Sequence, residues 1–422
     1  MKRLFQLKLH WQILIAMILG TIIGIILKSI YPDKPEGIVY QILIAGGTIF
    51  IRLLRMVIVP LVFTSIVTGV AGVGSGKGLG RLGIKTLSFF VGTTLIAVLI
   101  GLLLTNIIKP GIGSQIPVSG TFDAKSINSS SSPAEILIRM IPLNPIEAMV
   151  TGDMMGIIFF SIFLGFGITT LKPAGQKLLK NFFEAAFEAI MKITDVIIKL
   201  APLGVLGLIT KAVAETGLGM FSSLFLYVLT ITIGLTIHLW VILPSLFYLL
   251  TRINPLRFLK AMASAMITAF STSSSNATLP VTMNCIEENA GVSNRISSFV
   301  LPLGATINMN GTALYECAGV IFISQVLGLD LTLAQQMVIV LTSVLAAIGC
   351  AGIPSAGLVI IFVVTQAVGF KDAQVATVIG TMLAVDRPLD MYRTMVNITG
   401  DAYCAVIVAK SEGEKGLLEK MK

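Results

Sequence analysis

Charge and histidine are what this sequence has least of. Only 12% of its 422 residues are charged, about half the share usual in a soluble domain. That excludes a water-soluble globule with one large core. Two histidines, His10 and His238, leave histidine-based catalysis poorly supplied. The four cysteines, Cys285, Cys317, Cys350 and Cys404, sit in apolar surroundings without CxxC spacing. They read as small buried hydrophobes, not as a disulfide framework or a zinc site. The serine runs lack a GxSxG motif, so a membrane-embedded hydrolase has no nucleophile signature. The first apolar run has no small-residue cleavage site and reads as a span rather than a cleaved leader.

What the chain has is apolar length. It is 55% hydrophobic, with a mean hydropathy of +0.93. Runs of about 18 or more apolar residues recur, the mark of a polytopic membrane protein. Six such segments come first, at about 10–30, 40–72, 83–108, 135–171, 178–213 and 219–250. The second carries Arg52, Arg55 and Pro60 and is expected to tilt or bend, its arginines seeking water, headgroups or protein partners. The Ser/Gly/Pro-rich stretch at about 109–133 reads as an extramembrane loop. After residue 254 two apolar runs are split by turn formers, "AFSTSSSNATLP" (269–280) and "AAIGCAGIPSAG" (346–357). Each precedes a longer segment with polar residues, near 295–323 and 374–409. A unit used twice suggests an inverted repeat with the binding site at its centre.

The net charge of +9 follows this topology. Lys2, Arg3 and Lys8 put the N-terminus inside. Six spans then place three basic loops inside, carrying Lys77, Arg81 and Lys85, then Lys172, Lys177 and Lys180, then Arg252, Arg257 and Lys260. Treating the two split runs as re-entrant hairpins keeps Arg295, Lys410 and Lys415 inside too. The basic excess therefore marks cytoplasmic loops, not a nucleic-acid surface, and both termini are expected in the cytoplasm of a cell-membrane protein.

The most informative stretch is "DRPLDMYRTMVNITGD" (386–401), charged yet flanked by apolar sequence. On a helix, Asp386, Asp390, Arg393, Asn397 and Asp401 fall within an arc of roughly 80°, with Thr394 at its edge. Arg387 falls off that face, toward solvent or headgroups. A charge facing lipid at mid-bilayer costs ~2.5–3.5 kcal/mol on the mildest scale, so this face must line a protein-enclosed site. A structural Asp390–Arg393 pair would leave Asp386 and Asp401 unexplained. In "TINMNGTALYE" (306–316), two Asn, two Thr and Gly311 interrupt an apolar helix, and unwound backbone there would offer carbonyls to a hard cation. The serines at 273–275, followed by Asn276, suit a re-entrant tip whose hydroxyls and N–H groups receive carboxylate oxygens. The second tip offers mostly backbone, and its glycines suit a moving gate. Arg393 offers a fork for a carboxylate, Asp390 suits an ammonium, and the tip suits a second carboxylate. That combination matches an acidic amino acid. A C4-dicarboxylate would leave Asp390 without an ammonium, and a neutral amino acid would leave Arg393 unpaired. A channel could use the same charges but would not give saturable, stereoselective uptake.

The runs "SSSNATLPVT", "LPLGATINMNGTALYE", "AGIPSAG" and "LDMYRTMVNITGD" resemble the dicarboxylate/amino acid:cation symporter family, which includes the glutamate and aspartate transporters. The likeness covers nearly the whole chain. It implies an all-α polytopic membrane protein with eight transmembrane helices, two re-entrant helical hairpins and inverted repeats, working as an elevator-type homotrimer in the lipid bilayer. Residues 1–82 would hold scaffold helices 1–2, and 83–134 transport-domain helix 3 with its outer loop. Residues 135–218 would hold scaffold helices 4–5, which form the trimer, and 219–253 transport-domain helix 6. The transport core would span 254–410 (hairpin 1, helix 7, hairpin 2, helix 8), and 411–422 a cytoplasmic tail.

By motif match, the resemblance implies acidic amino acid contacts at Arg393, Asp390, Thr394, Asn397, Thr312, Ser275, Ile353 and Gly357. It implies a first sodium site at Gly304, Asn308, Asn397 and Asp401, and a second at backbone of Thr306, Met309, Ala347, Ile348 and Cys350. A third family site, at Thr93, Thr94, Asn308 and Asn310, is where the chain departs: Asn310 replaces an aspartate in "NMNGT", and Phe90 stands where a tyrosine is common. Glu316 stands where animal relatives can carry a proton. The expectations are Na+ and/or H+ as coupling ions and no organic cofactor or enzymatic step. Fewer sodium ions with proton coupling through Glu316 stands beside an alternative in which Asn310 coordinates sodium through its amide oxygen.

Overall fold

The computed structural model describes residues 9–31, 35–72, 77–116, 138, 141–348, 356–370 and 372–419. Among these residues the regular structure is entirely helical. The first seven helices are α1 (Leu9–Ile30), α2 (Ile38–Ala71), α3 (Lys77–Ile108), α4 (Pro145–Thr151), α5 (Met154–Thr169), α6 (Pro173–Lys199) and α7 (Ala201–Thr216). Next come α8 (Met220–Ile237), α9 (Leu243–Thr251), α10 (Pro255–Thr272), α11 (Ser275–Asn284) and α12 (Asn294–Ile307). The last four are α13 (Asn310–Val326), α14 (Leu333–Ile348), α15 (Ala356–Ala367) and α16 (Asp372–Ser411).

Four helical stretches are long and apolar enough to cross a membrane alone: Trp11–Ile30, Tyr40–Ala71, Arg81–Ile108 and Gly217–Thr251. The pair α6–α7 is bent by 49° and makes a fifth if counted as one span. Its break falls at Leu200, with Pro202 in the first turn of α7, where the missing N–H costs nothing. The apolar segment expected at 135–171 is likewise divided. Gly152 ends α4 in the left-handed region and Asp153 caps α5 through the Gly156 N–H. Hydropathy alone does not register a break made by a cap.

Two sets of helix contacts dominate, and they meet where α16 packs on α7 and α15 on α2 and α5. α2 lies against α5, α6 and α7, and α1 lies against α7. α3 packs on α13, and α16 runs past α10, α11, α12 and α13. Many side chains on the first group face outward, among them Ile22, Phe163, Phe166 and Leu203, as a lipid or subunit contact requires. α13 is buried from Asn310 to Ser324. It has no outer face, so its polar side chains, Asn310, Thr312 and Glu316, are buried with the apolar ones. Arg55 of α2 stacks on the Phe362 ring, 4.8 Å from its centroid, which answers the need of a span arginine for a partner.

The break expected at the serine run is present. Ser273 adopts φ 53° and stops α10, and Ser274 caps α11 by accepting from the Ala277 N–H. The second tip, with Cys350 and Ile353, lies outside the described residues. The interruption expected at "NMN" is also present: Asn308 and Met309 leave helical geometry between α12 and α13. Gly311 does not make the turn. It lies inside α13, where a Cβ would come 2.9 Å from the Arg393 carbonyl oxygen, so its role is close approach to α16.

Candidate binding site

The charged face of α16 turns inward. Asp386, Asp390, Arg393, Thr394, Asn397 and Asp401 are all buried, and Arg393 is wholly so. The arginine is held by one nitrogen: Nη2 donates to Asp386 Oδ1 at 2.9 Å and to Asp390 Oδ1 at 2.8 Å. Its guanidinium lies over the Tyr315 ring, 3.7 Å from the centroid. Nε and Nη1 have no hydrogen-bond partner among the described residues. Nη1 borders Gly357 at the start of α15, where a Cβ would sit 2.9 Å from it and 3.2 Å from Thr312 Cγ2. The absence of a side chain at Gly357 thus keeps the space beside Nη1 open.

Arg387 departs from expectation. Its side chain is 14% exposed, and Nη1 stands 3.5 Å from Asp390 Oδ2. Around it, Trp11, Met17 and Phe225 line a cleft of about 510 Å³ between α1, α8 and α16. The proximity of position 387 to Asp390, i to i+3, competes with solvent and wins.

Below Arg393 the polar face continues through amides. Asn397 Oδ1 accepts from the Gly311 N–H at 2.8 Å, and its Nδ2 donates to Thr312 Oγ1 at 3.1 Å. That side chain ties α16 to the first turn of α13, whose N–H groups are otherwise unpaired. Met309 Sδ lies 3.7 Å from the same nitrogen. Asp401 accepts from Asn308 Nδ2 at 2.8 Å and packs against Gly304. Thus Arg393, Asp390, Asn397, Thr312 and Gly357 form one neighbourhood, and Asp401, Asn308 and Gly304 a second. Thr394 Oγ1 is engaged with the Asp390 carbonyl at 2.9 Å. Ser275 is buried at the start of α11, which packs on α16.

The comparisons with known proteins decide the family. The model of the sodium:dicarboxylate symporter family matches residues 9–411. The chain belongs to the sodium:dicarboxylate symporter family. It is 35% identical to the proton/sodium-glutamate symport protein of Geobacillus stearothermophilus, covering 97% of this chain and 96% of that one. It is 35% identical to excitatory amino acid transporter 3 of Mus musculus (96% and 86%), and 32% identical to the proton/glutamate-aspartate symporter of Escherichia coli K12 (96% and 93%). It is a membrane-embedded transporter by family, not an enzyme.

Cation candidates of this symporter family chain gather at helix ends. Thr306 lies in the last turn of α12, Met309 lies in the break, and Ala347 and Ile348 end α14. Carbonyls in the last turns of α12 and α14 lack intrahelical partners and carry the negative end of the dipole, the chemistry a hard cation needs. The Met309 carbonyl instead accepts from the Ala313 N–H at 2.8 Å. Phe90, Thr93 and Thr94 are buried on α3. Thr94 Oγ1 donates to Asn310 Oδ1 at 2.8 Å, which brings the third candidate set together. Glu316 is fully buried on α13, and neither carboxyl oxygen has a partner among the described residues.

Three residues in these neighbourhoods had no assigned role at the level of sequence. Tyr315 stood inside a quoted motif, but one aromatic on an apolar helix ordinarily reads as packing. Asp386 was placed on the right face without a partner. His238 lies just past α8, far in sequence, and no spacing links it to Asn310.

Proposed function

We propose that this protein is a secondary symporter for acidic amino acids, glutamate or aspartate, coupled to Na+ and/or H+. One observation carries the reading: a fully buried arginine is neutralised by two acids through a single nitrogen while Nε and Nη1 keep no partner among the described residues. A carboxylate can accept a charge-assisted hydrogen bond from Nη1, beside Gly357. Asp390 stands beside it for an ammonium group. Asp386, Asp390, Arg387 and Arg393, all ionised, sum to zero, so a substrate of net charge −1 is buried most cheaply together with a cation. Asp401 and the carbonyl ends of α12 and α14 supply cation ligands nearby. The glutamate symporters among the relatives support the same substrate class. Neutral amino acids and C4-dicarboxylates use only part of this constellation and are the runner-up substrates.

We further propose the elevator arrangement of a homotrimer, with both termini cytoplasmic. Support comes from level. Trp11–Met17, at the start of α1, line one cleft with Ala384–Met391 of α16. Gly69, at the end of α2, faces Ile307 and Ile348. With the N-terminus inside, both contacts put the site toward the cytoplasmic ends of α1 and α2, an inward-facing arrangement. The outward apolar faces on α5 and α7 suit the scaffold and subunit contact.

The test uses purified protein in liposomes with labelled L-aspartate. An inward Na+ gradient at fixed pH is applied first, then an inward proton gradient without Na+. Concentrative uptake is expected under at least one gradient. Uptake indifferent to both overturns symport, and uptake that needs Na+ and ignores the proton gradient removes Glu316 as a coupling group.

A further inference from the structure

The third candidate cation set has an unassigned neighbour. His238 is completely buried. It opens the π-helical segment His238–Ile242 that joins α8 to α9, where the Leu243 N–H reaches back to the His238 carbonyl. A π turn inside a long helix is often a functional feature, because it re-aims one side chain out of register. Here the re-aimed imidazole meets α13: His238 Nε2 lies 3.4 Å from Asn310 Nδ2. Its Nδ1 has no partner among the described residues, so the ring's hydrogen bond goes to Asn310.

An amide, unlike the carboxylate it replaces in this family, has two different ends. Only its oxygen can hold a cation. Asn310 Oδ1 points to the Thr94 hydroxyl at 2.8 Å. The hydroxyl can rotate its hydrogen away and present a lone pair, as hydroxyls do. Beside it, Asn308 Oδ1 is buried without a partner while its Nδ2 is fixed on Asp401. A Cβ on Gly400 would lie 3.1 Å from the Nδ2 atoms of both Asn308 and Asn310, so both nitrogens face α16 and both oxygens turn from it. The donor set is neutral oxygen throughout, and it suits a hard cation held loosely.

We infer that His238 is the positioning residue of this set: its unprotonated Nε2 accepts from Asn310 Nδ2 and so keeps the amide oxygen turned toward Thr94, as a sodium ligand. The inference rests on the cation-coupled reading above and adds to it the residue that fits Asn310 to its task. A carboxylate would need no such partner, since either oxygen serves.

The experiment titrates purified full-length protein with Na+ in the absence of substrate, following thermal stability, and repeats it for His238→Leu, His238→Gln, Asn310→Asp and the double variant Asn310→Asp with His238→Leu. Losing the acceptor is expected to raise the Na+ concentration at half-effect by about five- to tenfold in His238→Leu, the scale of one buried hydrogen bond. His238→Gln, whose amide oxygen can accept in place of Nε2, is expected to restore most of it. In the Asn310→Asp background the leucine change is expected to do little. Should His238→Leu not fold, His238→Phe carries the same expectation. A leucine variant that titrates like the wild type, or a glutamine variant no better than leucine, overturns the inference alone. A wild-type protein indifferent to Na+ in stability and in aspartate binding removes Na+ as a coupling ion, leaving H+ alone, and overturns the inference with it.

Discussion

Two polar neighbourhoods lie along α16, about 12 Å apart by helix rise, and they are built from opposite materials. Around Arg393 the groups are formal charges, paired through Asp386, Asp390 and Arg387. Around Asn308 and Asn310 they are amides, hydroxyls and one imidazole, with Asp401 the single carboxylate bonded to them. The difference follows what each must receive. A ligand that carries its own carboxylate and ammonium needs fixed charges of both signs. A cation that must also leave is better held by weak neutral oxygens and one acid.

Breaking the charged side should be the most damaging change. Arg393→Cys leaves two buried acids without their main partner, and L-aspartate uptake into liposomes is expected to fall by more than ~100-fold, the scale of a broken buried ion pair. Undiminished uptake would remove the carboxylate clamp. Breaking the acid of the second side comes next. Asp401→Asn keeps the shape but removes the charge, and the Na+ concentration for half-maximal uptake is expected to rise at least ~tenfold. Aspartate affinity at saturating Na+ should change far less, and an equal loss in both would merge the two neighbourhoods into one.

Glu316→Gln sharpens the comparison from a third position. It keeps size and burial but cannot carry a proton. If protons are coupled there, uptake by the variant becomes insensitive to external pH between about pH 6 and about pH 8 while the wild type still responds. A wild type with the same flat profile assigns coupling to Na+ alone.

The smallest effect is expected outside both neighbourhoods, where the tail crosses the start of α3. Glu412 pairs with Arg81 and with Lys85, the latter at 2.6 Å. Those cations hold its carboxyl below the usual 4.5. Its contribution is therefore present above that value and is lost as pH falls through the lower folded-state value. Its partner Arg81 is largely exposed, so Glu412→Gln should shift Tm by about a degree or less at neutral pH.

Much of this was legible in the residues. The period of "DRPLDMYRTMVNITGD" put five polar groups on one buried face, because a helix's geometry is fixed locally and lipid forbids the alternative. The tip at Ser273–Ser274 and the break at Asn308–Met309 followed from runs of polar residues that apolar helices do not otherwise contain. What escaped depends on contacts between distant segments. No local rule shows that the Tyr315 ring lies over Arg393, or that His238 reaches Asn310 across a gap of 72 positions. Gly311, counted among the residues that interrupt the helix, is a spacer inside it, since conformational freedom and missing bulk share one letter. The division of 135–171 into two helices hinged on the Asp153 cap, a polar detail inside an apolar average.

The central claim is that the Arg393 neighbourhood selects a ligand with two carboxylates and one ammonium. The direct measurement is calorimetric binding of L-aspartate, succinate and L-serine to the purified protein at saturating Na+. Succinate lacks the ammonium and serine the second carboxylate. The account expects aspartate to bind at least ~100-fold more tightly than either, as a site with buried, unpaired groups would require. Succinate or serine binding as tightly as aspartate would contradict it.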